Sequence, residues 1–337
     1  MVVMMKVNGD NRDNCKTCDK IICEEESYIK EAKALAEHLG VPLEYGPPGH
    51  DRTAENCRTA GHDRSEECGP PGRHRPAESG GAVLRFGRQG LCLEAGGQSL
   101  RGDFTKLLPR LRPSALGRET LVRAARFRRT GGRSETCSET GDLAASAPGK
   151  PAEGDCRRSM FPQLTAVDAT AGLGEDSLLL AAAGFHVQLC EYNPVIAALL
   201  RDALRRAAEI PELEEITGRM RLTEGDSRVL LRGLEEPPDL VLLDPMFPER
   251  RKNALSKKKL QLLQRLEQPC EDESGLLRAA LDAGPRKIVI KRPVRGDFLA
   301  GRRPGYSITG KLIRYDCLVL PEHERMNRGE CNHVEHE

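Results

Sequence analysis

From Leu164 onward, short apolar runs alternate with amphipathic stretches, and this alternation constrains the fold more than any other feature of the chain. Parallel strands need crossover connections that helices supply, so the pattern specifies an α/β domain with a largely parallel, helix-covered sheet. The strands read as Leu164–Ala169, His186–Glu191, Met220–Thr223, Leu240–Leu243 and Lys287–Lys291, with a terminal pair at Tyr306–Ile308 and Ile313–Leu320. The helices read as Asp176–Ala183, Pro194–Ala208 and Ser274–Ala283. Pro194 suits a first helical turn, where its missing donor costs nothing.

The preceding half is less regular. Glu26–Leu43 carries apolar residues at helical spacing, with Gly40 as a stop. Ala82–Phe86 and Gly90–Glu94 form a hairpin pattern, and Leu116–Phe127 has helical periodicity with an arginine-rich outer face. Between them, Tyr45–Gly81 is rich in Gly, Pro and charge and repeats Gly-His-Asp-Arg at Gly49 and Gly61, while Thr130–Arg158 loses all pattern. The expected organisation is a small basic α+β subdomain over 24–129, interrupted by a disordered insertion at 46–81. A disordered linker at 130–160, the α/β domain at 161–321 and a disordered tail at 322–337 complete it.

Charge sums to +1, yet Arg85–Arg133 holds twelve Arg or Lys against Glu94, Asp103 and Glu119, a phosphate-contacting surface or a solvated face. No window is long enough for a transmembrane helix and the N-terminus lacks a signal-peptide layout, which points to the cytoplasm and away from membranes. The twelve cysteines are then expected as free thiols. Cys15 and Cys18 have metal-ligand spacing, with Cys23, Cys57, Cys68, His50, His62 and His74 downstream. A structural zinc site shows tidier pairs, and no metal is expected.

Val167–Gly174 (VDATAGLG) joins a buried-type strand to a helix, and its small residues at Gly172 and Gly174 let backbone approach a ligand. Ser177 stands where a dinucleotide fingerprint would carry its third glycine, which argues against NAD. Glu191 ends the second strand, where a carboxylate can accept from both ribose hydroxyls of an adenosine. Asp226 and Ser227 follow the third strand, within reach of an adenine amino group. Asp168 adds negative charge that suits a sulfonium or ammonium centre.

The fourth strand runs into Asp244-Pro245-Met246-Phe247-Pro248, which resembles the Asp-Pro-Pro-Tyr loop of amino-methyltransferases. In such a loop Asp244 and the Pro245 carbonyl accept hydrogens from a planar exocyclic amine and localise its lone pair, while Phe247 stacks on the base. Proline restricts its own φ and that of its predecessor, which pre-organises the loop. Met246 departs from the pattern.

With VDATAGLGED at Val167–Asp176, Glu191–Leu200 (EYNPVIAALL), the Asp244–Pro248 loop and Val289–Pro293 (VIKRP), residues 164–320 resemble the RsmJ-type small-subunit (16S) ribosomal RNA guanine-N2 methyltransferases. The resemblance implies a Rossmann-like class I fold, S-adenosyl-L-methionine (SAM) as methyl donor, and cytoplasmic rRNA methylation of the guanine N2 amine. It implies cofactor contacts from Glu175, Asp176, Glu191, Tyr192, Asp226, Ser227 and Asp244. Glu175 and Tyr192 stand where arginine is frequent in the family. The partner would be small-subunit rRNA or the small ribosomal subunit, with no obligate protein partner evident. Arg250, Arg251, Lys252 and Lys257–Lys259 after the catalytic loop, with Lys291 and Arg292 on the same sheet edge, would contact phosphates. The same loop also suits an adenine-N6 or DNA amino-methyltransferase, and a module binding an adenosine ligand or RNA without catalysis remains the non-enzymatic alternative.

Overall fold

The computed structural model describes residues 18–46, 81–127, 164–245 and 272–321. Two sheets share one helix. In the C-terminal half, β6 (Thr165–Asp168), β7 (His186–Glu191), β8 (Met220–Glu224), β9 (Leu240–Leu243) and β10 (Lys287–Pro293) run parallel, and β12 (Ile313–Val319) and β11 (Tyr306–Thr309) close one side antiparallel. The sheet order is β11-β12-β10-β9-β6-β7-β8. The order reverses between β6 and β9, which opens a crevice outside the C-terminal ends of these two strands. Their side chains are buried almost throughout, as expected of strands covered on both faces.

Helix α5 (Glu175–Ala182), α6 (Pro194–Ala207), α7 (Pro211–Thr217), α8 (Ser227–Arg232) and α9 (Glu273–Asp282) cover the faces. Pro194 occupies the first turn of α6, and the Asn193 side chain caps it by accepting from Val195 and Ile196 N–H at 2.9 and 3.2 Å. Helices α7 and α8 were not anticipated from the sequence.

The N-terminal sheet has the order β2-β1-β3-β4-β5, built from β1 (Lys20–Cys23), β2 (Leu43–Tyr45), β3 (Val83–Gly87), β4 (Gly90–Ala95) and β5 (Gln98–Leu100), with α1 (Ile29–Leu39) packed on it. Strand β1 lies before the expected start at residue 24 and pairs parallel with both β2 and β3. Gly40, at φ +64°, ends α1 in the left-handed conformation, so Leu43, expected in the helix, becomes the first residue of β2. The helical stretch read at Leu116–Phe127 is broken: α2 (Leu108–Leu111), α3 (Pro113–Leu116) and α4 (Thr120–Ala125) are separate turns, and Glu119 between them makes two 2.8 Å bonds to Arg110.

Helix α6 joins the halves. Val195, Ile196, Ala198 and Leu199 are buried with the N-terminal core, whereas Leu200, Ala203 and Ala207 are buried with the core of the large sheet. Asp202 of this helix accepts the Leu91 N–H at 2.9 Å and is held by Arg206 at 2.7 Å. Gly90 meets them at φ +92°, with no room for a side chain beside Arg206 and Asp202. Cys18 and Cys23 are buried in the N-terminal core, their thiols donating to the Lys20 and Glu25 carbonyls. Among the described residues no cluster of His, Cys, Asp or Glu could hold a metal ion; Cys15, Cys57, Cys68, His50, His62 and His74 lie outside them. No described helix is long and apolar enough to cross a membrane.

Candidate active site at the C-terminal strand ends

Each strand flanking the crevice ends in an acid. After β6 the chain turns through Gly172 and Gly174, both at positive φ, into the first turn of α5. A Cβ on Gly174 would sit 2.7 Å from Leu200 Cδ1 and 3.2 Å from Phe104, so glycine is required by both conformation and space. Asp168 is 2% exposed and accepts from Ser177 Oγ at 2.5 Å and Thr170 N–H at 3.2 Å. Burial pushes its carboxyl up to about 7 against those two bonds. Asp168 therefore organises the loop from beneath, where the sequence suggested direct contact with the cofactor. Ser177, the residue in place of the third glycine, is its partner.

Glu191 at the end of β7 is 6% exposed, and its two oxygens accept from Gly172 N–H and Asn193 N–H, each at 2.8 Å. It ties two loops together, and a carboxylate so engaged retains lone pairs for a ribose hydroxyl. Tyr192 beside it is 58% exposed. Its free ring face suits an adenine. Asp226 caps α8 by accepting Arg228 N–H at 2.8 Å, and its oxygens also take the Arg228 guanidinium at 2.7 to 3.1 Å. A contact to an adenine amino group would share that carboxylate. Ser227 is half-buried at the first position of α8.

Asp244 and Pro245 follow β9 directly, and the Asp244 N–H donates to Thr170 Oγ1 at 2.7 Å, which fastens the chain leaving β9 to the glycine turn. Lys291 Nζ bridges Asp244 and Asp176, at 2.8 Å from each carboxylate. Burial acts to lower the Lys291 pKa, but Asp244 and Asp176 outweigh it and hold the ammonium well above the usual lysine range. Burial raises Asp244 above the ordinary carboxylate range, and Lys291 opposes that rise. Tyr315, paired with Lys291 across β10 and β12, has its phenol pushed up by burial and then by Asp176.

These positions revise the expected RNA contacts. Lys291 serves the acidic cluster. Arg292 is 4% exposed, with Nε on the Asp297 carbonyl at 2.7 Å and Nη1 on Glu273 at 3.2 Å, so it is not offered to phosphate. Met246, Phe247, Pro248, Arg250, Arg251, Lys252 and Lys257–Lys259 lie outside the described residues. Glu175 is exposed at the start of α5, with Asp176 half-buried beside it. Thr170 was missed because a threonine in a small-residue turn carries no spacing signal.

Lys291 is matched by two carboxylates, Asp176 and Asp244, while buried Asp168 accepts from Ser177 and Thr170 beside them, so the strand ends are rich in hydrogen-bond acceptors. That acceptor set fits a ligand bearing a ribose diol, an ammonium group and a sulfonium centre. Two cavities of about 370 and 240 Å³ open elsewhere, beside α9 and at the opposite edge of the sheet. The side-chain constellation, not cavity size, marks the site.

Comparison with known proteins agrees. Residues 155–320 match the family described as "Putative SAM-dependent methyltransferase". A SAM-dependent methyltransferase from Neisseria gonorrhoeae superposes with a TM-score of 0.54 over 94% of this chain and 100% of its own, at 23% identity, a likeness of fold. Ribosomal RNA small subunit methyltransferase J of Thioalkalivibrio sulfidiphilus is 46% identical over 155 residues, covering 45% of this chain and 61% of the relative. The same-named proteins of Pseudomonas aeruginosa (strain UCBPP-PA14) and Neisseria meningitidis are 47% and 43% identical, over 44% and 47% of this chain and 58% and 64% of theirs. The chain thus matches about three fifths of the length of these curated relatives. Fold and family match agree on the class: the C-terminal half has a Rossmann-like SAM-dependent methyltransferase fold. Within that class the relatives it resembles are named ribosomal RNA small subunit methyltransferase J.

Proposed function

We propose that this protein transfers a methyl group from SAM to the exocyclic N2 amine of a guanine in small-subunit ribosomal RNA. The observation that carries the reading is Asp244 at the switch point of the sheet, its backbone fastened by Thr170 and its carboxylate by Lys291. The names of the relatives support small-subunit ribosomal RNA as substrate, and such a substrate would place the protein in the cytoplasm.

When bound, SAM supplies an electrophilic methyl group on a cationic sulfur. Asp244 and the Pro245 carbonyl accept the two N–H groups of the guanine amine and localise its lone pair. Lys291 keeps Asp244 ionised and fixed in direction. Glu191 takes the ribose hydroxyls, Tyr192 flanks the adenine, and Asp226 with Ser227 lies at its amino edge. As the methyl C–N bond forms at the expense of its C–S bond, leaving a neutral thioether, Asp244 would be placed to receive the surplus amine proton. Phe247 and the cations at Arg250, Arg251 and Lys252 complete the RNA side of the proposal.

The test is tritiated methyl transfer onto undermethylated small ribosomal subunits, followed by nucleoside analysis. N2-methylguanosine is expected. N6-methyladenosine without N2-methylguanosine overturns the assignment of the base, and full activity in Asp244→Ala overturns the catalytic role of the loop.

A further inference from the structure

Past Pro293, β10 leads into a surface loop, Val294-Arg295-Gly296-Asp297, that two buried arginines brace. Arg314 Nη1 donates to the carbonyls of Pro293, Val294 and Gly296 at 3.0, 2.8 and 2.9 Å while its Nε stays on Asp316. Arg292 Nε takes a fourth carbonyl, that of Asp297. Charge-assisted donors committed to four carbonyls of one loop fix its path. The β11–β12 turn closes on the same loop, since Val294 N–H donates to the Leu312 carbonyl at 3.1 Å and Gly310 N–H to the Ile313 carbonyl at 2.8 Å.

On this braced turn Leu312 is 83% exposed. A lone exposed leucine is ordinary on a protein surface, so its placement must carry the argument. Lys291 lies opposite Tyr315, and Leu312 comes three residues beyond Tyr315 toward the catalytic edge. At about 3.3 Å per residue the leucine stands ~10 Å past the Lys291–Asp244 pair. Arg295 and Lys311 flank it, exposed and without an ion pair among the described residues. Arg118 is likewise exposed and unpaired, two residues before Thr120, which abuts Gly310 of the turn. Asp297 is the single acid from Val294 to Leu312. An apolar tip on a rigid, cationic lip beside an amine-binding loop matches a stacked polyanion whose target base must leave its stack.

We propose that Leu312 is a wedge for structured RNA: it enters the stack vacated by the extruded guanine, while Lys311, Arg295 and Arg118 hold the flanking phosphates. This rests on the proposed reaction. Its test uses the full chain, with Leu312→Ala beside the wild type. The RNA is a small-subunit fragment containing the methylated guanine, offered once annealed to its complement and once single-stranded. The variant is expected to slow methyl transfer tenfold or more on the annealed RNA and less than threefold on the single strand, with SAM affinity within twofold of wild type. Equal loss on both RNAs, or no loss on the annealed one, overturns the wedge.

A second readout does not depend on catalysis. With 2-aminopurine next to the target in the annealed RNA, the wild type is expected to raise fluorescence severalfold and Leu312→Ala to leave it near the free-RNA value. Brightening without methyl transfer would sink the reaction and keep the wedge. No brightening with the wild type would sink the wedge whatever the transfer assay shows.

Discussion

Replacing Lys291 by methionine removes the ammonium that bridges Asp176 and Asp244. Each carboxylate lies 2.8 Å from Nζ. An ammonium and a carboxylate with charge centres ~4 Å apart attract by about 4 kcal/mol at an effective dielectric of about 20, and Lys291→Met loses that attraction while the repulsion between Asp176 and Asp244 stays. That dielectric suits the site, because the Asp176 and Asp244 side chains are 19% and 35% exposed and keep some contact with water. Burial already holds Asp244 above the usual carboxylate range, with Lys291 pulling it back, so its pKa in Lys291→Met rises further. Asp244 accepts from the amine only as a carboxylate, so activity is lost as pH falls through its pKa, and raising that pKa moves the acid limb to higher pH. The assay is kcat/KM for methyl transfer between pH 5.5 and 9. The acid limb of Lys291→Met is expected at distinctly higher pH than that of wild type, with Lys291→Arg restoring most of the difference. Superimposable profiles for wild type and Lys291→Met would refute the electrostatic reasoning.

Four further outcomes follow from the same geometry. Asp168 has a folded-state pKa of about 7, above its ordinary 3.8, so the stability it lends is present at low pH and is lost as pH rises toward 7. Asp168→Asn removes that dependence, and its Tm relative to wild type should rise by several degrees between pH 5 and pH 7.5 in calorimetry. Asp202→Ala strips the buried Leu91 N–H of its acceptor and leaves Arg206 without its carboxylate, a loss of about 2–3 kcal/mol readable by urea unfolding. Gly174→Ala forces an alanine into positive φ against Leu200, and calorimetric titration should show SAM affinity down at least tenfold. Arg292→Gln should lower Tm yet leave the salt dependence of RNA binding unchanged, because that guanidinium holds Asp297 and Glu273; a slope reduced by about one would place it on phosphate.

The large sheet was legible because its strands are apolar runs, unbroken in Leu240–Leu243 and interrupted by Gln188 within His186–Glu191, and both begin and end where their sequences indicate. Punctuation was legible too, in Pro194 at the start of α6 and Gly40 at the end of α1. Strand β1 was not, since four residues have no period and their partner β3 begins sixty residues later. The pair Lys291-Arg292 shows the other limit. In sequence the two are adjacent cations on the catalytic edge. On a strand, neighbours point to opposite faces, and each here meets acids distant in the chain: Lys291 meets Asp176, 115 residues away, and Arg292 meets Glu273. Which acid waits on which face is decided by tertiary packing, and a charge count cannot supply it.

That packing also bears on the N-terminal half, which lies outside the family match over residues 155–320. Its Phe104 lies against Gly174 in the cofactor turn, and its His38 side chain meets Glu224 at the end of β8, which Arg201 also holds at 3.1 Å. Leu173, from the glycine turn itself, is buried in the N-terminal core together with Val195, Ile196, Ala198 and Leu199 of α6. Removing residues 18–127 would expose that apolar face of α6 and unseat the turn that carries Gly172 and Gly174. Burial of a Leu or Ile side chain is worth ~1.5–3 kcal/mol, so Ile196, Leu199 and Leu173 alone would forfeit several kcal/mol, comparable to the whole stability of a domain. The N-terminal sheet is therefore part of the cofactor site's foundation, and the methyltransferase domain is not expected to hold its binding loop in place without it.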